Sequence, residues 1–104
     1  MRAPFAYLVC LAAVIAGLGV VLGAFGAHAL AETLAARGRT GVWETAVFYH
    51  LLHAAGAVGV LLAGRAGALP AGAARGVAGA WLVGVLLFSG SLYGLSFGAP
   101  RALG

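Results

Sequence analysis

Residues 3–27 read APFAYLVCLAAVIAGLGVVLGAFGA, without one charged side chain. A helix crosses the hydrocarbon of a bilayer in about 20 apolar residues, and this run exceeds that length. It is preceded by Arg2 and followed by the small-x-small triplet Ala27-His28-Ala29, as a cleaved leader would be. The apolar region of a leader, however, is only about 7–15 residues long. Nor does Leu8-Val9-Cys10 make a lipoprotein signal, because Val9 stands where a small residue is required. The run therefore reads as a retained transmembrane helix. Working outward, two further stretches are long enough to span: Val42 to Gly64, which contains Glu44, His50 and His53, and Gly76 to Gly98, which contains no charge. The expected fold is all-α: a single polytopic domain over residues 1–104, with transmembrane helices at about 3–27, 42–64 and 76–98 in an antiparallel bundle.

Composition agrees. Of the 104 residues, 63% are apolar and only 8% charged, against about 25% charged in a soluble domain. Lys, Asp, Asn and Gln are absent, and so few polar side chains cannot cover a water-facing globule. That excludes a soluble enzyme. The net charge of +4 comes from arginines scattered singly at positions 2, 37, 39, 65, 75 and 101. Nucleic-acid binding needs a clustered cationic face, so no nucleic-acid partner is expected. Cys10, the single cysteine, allows no internal disulfide. Arginines near the span ends tie at three on each side. The free amine beside Arg2 and the acids opposite tip the reading towards a cytoplasmic N-terminus.

Within lipid, helices adhere mainly where small residues let their backbones approach. Each span carries such residues at helical spacing: Ala12, Ala16, Gly19, Gly23 and Ala27 in the first; Ala46, His53, Ala57, Val60 and Gly64 in the second; Gly76, Ala80, Gly84, Ser91 and Gly98 in the third. Gly94 adds G-x-x-x-G pairs with Gly90 and Gly98. The expected packing residues are Gly19, Gly23, Ala57, Gly76, Ala80, Gly84 and Gly94. Trp43 and Tyr93 read as anchors at the membrane surface.

Ionisable groups inside a membrane are costly and invite a functional reading. In a three-span chain the end of the first helix, the start of the second and the end of the third share one side. His28, Tyr49, His50, His53, Ser89, Ser91 and Tyr93 therefore fall towards the same side. His50 and His53 lie three residues apart, about 60° around a helix. Two histidines so placed, with His28 as a third ligand, could hold a metal, or His53 could relay protons. No carboxylate or thiolate stands at suitable spacing, since Glu44 lies about 180° from His53 on a helical wheel. The residues favour interhelical hydrogen bonding among His, Ser and Tyr. No catalytic residue, metal or cofactor is expected.

Three motifs, in order, carry a family resemblance: Gly23-Ala24-Phe25-Gly26-Ala27-His28-Ala29-Leu30, then Glu44-Thr45-Ala46-Val47-Phe48-Tyr49-His50-Leu51-Leu52-His53-Ala54, then Phe88-Ser89-Gly90-Ser91-Leu92-Tyr93. The chain resembles the domain-of-unknown-function 423 family, the transmembrane protein 256-like small membrane proteins. The resemblance implies a multi-pass protein of the bacterial plasma (inner) membrane, with no established activity, substrate or cofactor. It also implies a fourth helix, and the chain reaches Arg101-Ala102-Leu103-Gly104 about where that helix would begin. The expectation is thus a shortened version of a four-helix bundle. Its partners would be the lipid bilayer and further copies or a larger membrane complex, and its role accessory rather than enzymatic. The alternative is transport or proton and ion handling through His50 and His53.

Overall fold

The computed structural model describes residues 3–98, with side chains from Phe5 onward. Four helices follow in order: α1 (Ala3–Ala27), α2 (Ala31–Ala36), α3 (Thr40–Arg65) and α4 (Ala71–Ser96). All but α2 are long and apolar enough to cross a membrane. The 26 residues of α3 make a rod about 39 Å long, more than the hydrocarbon thickness of about 30 Å. Arg2 and Arg101, on which the expected orientation partly rests, lie outside the described residues, as does the Arg101–Gly104 segment discussed for a fourth helix.

α1 has the expected bounds, whereas α3 and α4 reach beyond theirs at their N-terminal ends. The apolar runs close at charges, but a backbone hydrogen-bond ladder does not. Arg75 is carried within α4, its guanidinium carbon 5.3 Å from the centre of the Phe5 ring, where the ring face attracts a cation. The true start of α4 is set by Pro70, extended at ψ 135°, whose carbonyl receives the Ala74 N–H at 3.0 Å.

The connection at residues 28–41 contains the six-residue α2, too short to show a periodicity, held by the fully buried Leu34. Gly38 and Gly67, at φ +65° and +86°, close α2 and α3 in the left-handed conformation that glycine adopts without steric cost. After Gly38, Arg39 N–H returns to the Leu34 carbonyl at 2.9 Å, and after Gly67, Ala68 N–H returns to that of Ala63 at 3.0 Å. These bonds satisfy the carbonyls that a helix end leaves open.

α3 is the central rod. α1 and α4 each pack along it and barely touch each other, which gives a slab of 49 × 27 × 19 Å. Small residues line the seams. Ala12, Ala54, Ala57, Ala74 and Ala78 are fully buried. Gly19 and Gly23 of α1 face Leu51 and Val47, and Gly64 of α3 lies directly against the Ala74 methyl. Large side chains point out, with Tyr7 79% and Leu87 70% exposed. Large outside and small inside is the arrangement expected when the surrounding solvent is hydrocarbon.

The stripe expected on α4 is corrected. Gly76, Ala80 and Gly84 face outward, and a Cβ at Gly76 or Gly84 would meet nothing within 4 Å. α4 instead applies Ala74, Ala78, Leu82, Val85 and Ser89 to the bundle. The two stripes are offset by two residues, about 200°, and so lie on nearly opposite faces. A close contact needs smallness on one side only, and α3 supplies it with Ala54, Gly56, Ala57 and Gly64. α4 can therefore apply a mixed face, Leu82 and Val85 beside Ala74 and Ala78, while its largest side chains, such as Trp81, Leu87 and Phe88, point outward. Gly94, near the C-terminal end of α4, is half-buried.

Candidate functional site

The polar side chains of the interior lie towards the end of the bundle where α1 finishes, α3 begins and α4 finishes. His50, on α3, is 6% exposed and uses both ring nitrogens. Nε2 lies 2.6 Å from the Ile15 carbonyl oxygen of α1. A carbonyl only accepts, so Nε2 carries the proton and donates it. In the neutral ring Nδ1 is then an acceptor, and the Tyr93 hydroxyl of α4 donates to it at 2.9 Å. One imidazole thus ties the central helix to both neighbours. Its approach to α1 depends on Gly19, where a Cβ would stand 3.2 Å from His50 Cδ2 and 2.7 Å from Leu51 Cδ2.

Two further bonds run beside it. Ser89 Oγ of α4 donates to the Ala46 carbonyl of α3 at 2.8 Å. The Trp43 indole N–H of α3 donates to the Leu22 carbonyl of α1 at 2.9 Å. Trp43 also packs against Tyr93, ring centres 4.7 Å apart, and edge-on to Phe97 at 5.6 Å. The sequence suggests Trp43 as a surface anchor, but the residue is 3% exposed inside the bundle. The room is made by Gly26, where any Cβ would collide with the indole ring. Tyr93 likewise is half-buried and turned to His50 rather than serving as a simple surface anchor.

The seven residues that share a side by helix parity do not form one cluster. His50, Ser89 and Tyr93 come together, with Trp43 as a fourth member. His53 turns away: its Nδ1–H donates to the Tyr49 carbonyl of its own helix at 2.9 Å, and its ring faces Trp81 edge-on at 6.3 Å. Tyr49 is exposed and packs with Phe48 and Phe88. The separation of His50 from His53 follows from α3 being central. About 60° of rotation directs one ring into the three-helix junction and the other into the outer edge of the α3–α4 seam. Ser91 donates within α4, to the carbonyls of Leu87 and Phe88. His28 lies exposed beyond the end of α1, beside Val21, Ala24 and Phe25. Glu44 is exposed near the start of α3, bordering a crevice with Leu34 and Thr40. Among the described residues no three of His, Cys, Asp or Glu gather as metal ligands would.

Chemically, the chain from Tyr93 through His50 ends on a main-chain carbonyl, which has no proton to pass on. No buried side-chain nitrogen or oxygen among the described residues lacks a partner. The roles of Ile15 and Leu22 could not be read from residue type, because their carbonyls do the work. Trp43 was detectable in principle, since Gly23 and Gly26 leave a gap in α1 opposite the start of α3.

Comparison with known proteins adds family relationships. The family model described as "Protein of unknown function (DUF423)" matches residues 22–104. A UPF0382 membrane protein of Haemophilus influenzae is 37% identical over 84 residues, covering 81% of this chain and 64% of that protein. The UPF0382 membrane protein YwdK of Bacillus subtilis is 40% identical over 99 residues, covering 92% of this chain and 76% of its own length. The match to the Haemophilus protein therefore spans slightly less than two thirds of that protein. No solved structure matches.

Proposed function

This chain belongs to the DUF423 family of membrane proteins, and from that premise we propose that it is a non-enzymatic packing component of the plasma membrane that assembles with copies of itself or with a larger membrane complex. Its three long helices make it a small, multi-pass integral membrane protein. The observation that carries the proposal is the use made of its interior polar groups. His50, Ser89, Tyr93 and Trp43 hold one helix to another through hydrogen bonds, the work of a scaffold rather than of a reaction centre.

A surface for assembly follows from the same architecture. Because α1 and α4 both lie on α3 and hardly meet, a cleft of about 260 Å³ runs between them, lined by Leu18, Val21, Leu22, Leu86 and Gly90 above the His50–Tyr93 pair. A helix of a second copy seated there would make the close backbone contact that drives association in lipid. A Cβ at Gly90 would meet nothing within 4 Å. Gly90→Leu therefore places a bulky side chain in the cleft from a position with room for its Cβ. Native mass spectrometry from mild detergent tests the reading: the expected result is an oligomer or complex that Gly90→Leu dissociates. A wild-type protein that is monomeric and free of partners overturns it. So does proton or ion flux in liposomes that is lost on His53→Ala, which would favour the transport alternative instead.

A further inference from the structure

On the outer side of the α3–α4 seam lies a groove of about 400 Å³, lined by Tyr49, His53, Ala80, Trp81, Gly84 and Phe88. We propose that it binds a lipophilic alcohol, an apolar molecule bearing one hydroxyl, whose O–H is donated to His53 Nε2. The site shares only Val85 with the α1–α4 cleft and does not depend on assembly there.

Donor and acceptor chemistry narrows the ligand. The Nδ1–H of His53 is committed to the Tyr49 carbonyl, so Nε2 of the neutral ring presents a lone pair. Among the described residues nothing donates to that lone pair. No buried side-chain nitrogen or oxygen among the described residues is left without a partner, so Nε2 is not sealed inside the protein, and the His53 ring lines the groove. Esters, ethers and ketones carry only acceptors and cannot pair with it. A charged amine or acid would bring a charge into hydrocarbon, at high cost. A hydroxyl satisfies the site.

Depth narrows it further. His53 lies 13 residues along α3 from Thr40, about 20 Å into a helix about 39 Å long. That is halfway along a helix long enough to span the bilayer, so a ligand on a helix centred in the membrane carries its polar group within the hydrocarbon instead of reaching in from a headgroup. The walls suit such a molecule. Ala80 and Gly84 leave the floor open. Tyr49 and Phe88 stand edge to face at 5.2 Å. The six-membered ring of Trp81 rests on Gly56, whose added Cβ would come within 3.1 Å of it. The volume lies within the range of small-molecule sites, about 300–1,000 Å³.

The test uses the full chain in lipid nanodiscs, labelled with ¹⁵N-histidine and titrated with farnesol or with farnesyl methyl ether, which has the same hydrocarbon but no donor. With farnesol the His53 Nε2 resonance shifts saturably and the tryptophan fluorescence, to which Trp81 in the groove contributes, changes with it. The ether binds about tenfold more weakly, the worth of one hydrogen bond. His53→Phe removes the difference between the two probes. Gly84→Leu places a bulky side chain in the groove from a position where a Cβ meets nothing, so it abolishes binding while the helical dichroism spectrum stays that of the folded protein. Equal affinity for alcohol and ether, an unmoved Nε2 resonance, or a Gly84→Leu variant that responds like wild type would each overturn the proposal. The last is the behaviour of a probe that merely dissolves in the bilayer.

Discussion

The two halves of the bundle are held together differently. At the end where α3 begins, Trp43, His50, Ser89 and Tyr93 bridge the helices by hydrogen bonds, and aromatic rings fill the space between them. At the other end the core is Phe5, Ala12, Ala57, Leu61, Ala74 and Ala78, and adhesion comes from backbones brought close. Both halves face the same lipid, in which burying hydrocarbon against hydrocarbon yields little. Dispersion at short range and hydrogen bonds in a low dielectric are the two remaining sources of adhesion. The chain uses one at each end. A close-packed seam fails abruptly when any atom is added. A hydrogen-bonded seam weakens by steps as partners are removed.

That contrast can be broken by substitution, with stability read from denaturation in mixed detergent micelles. The largest effect is expected for Gly64→Val. Its Cβ falls on the Ala74 methyl, so α3 and α4 must separate. The loss should be about 3 kcal/mol, the upper part of the range for overpacking. A loss below about 1 kcal/mol would mean that this end is not close-packed. Gly26→Ala comes next, at about 2 kcal/mol, because the new methyl displaces the Trp43 ring and breaks its bond to Leu22. A matching change in tryptophan near-ultraviolet dichroism checks the cause.

His50→Phe keeps the ring volume while deleting both of its bonds, and should cost about 1–2 kcal/mol, since an interhelical hydrogen bond in lipid contributes about 0.6 and at most about 2. If His50→Phe were neutral, the polar end would owe its adhesion to packing alone, and the contrast between the halves would disappear. Gly59→Ala is the smallest change. It lies on α3 where a Cβ meets nothing within 4 Å, so stability should hold or rise by up to about 0.5 kcal/mol as helix propensity improves. A clear loss there would show a contact on that face.

The residue pattern went far towards the fold and less far towards the site. Three apolar runs of bilayer length placed the long helices, and parity placed the polar residues towards one side. Gly19 and Gly23 were identified on a stripe that faces α3. The stripe of Gly76, Ala80 and Gly84 was equally regular, yet it faces outward. Helical spacing reveals that a face exists without saying which neighbour covers it. His50 and His53 look equivalent in sequence, three residues apart in one apolar span. Only the position of α3 between two helices sends them to different surroundings. The partners of His50 and Trp43 on α1 are main-chain carbonyls, which every residue possesses, so side-chain identity carries no sign of them.

Hydrophobic length and the scarcity of charge determined by themselves that this polypeptide is a set of membrane-crossing helices, because the transfer of some twenty apolar residues into hydrocarbon depends on composition and hardly on order. The tertiary structure decided which helix is central, which small residues are covered, and which histidine is satisfied inside the bundle. These outcomes depend on rotation about helix axes and on ångström-scale approach. Such quantities arise only when all three helices pack at once.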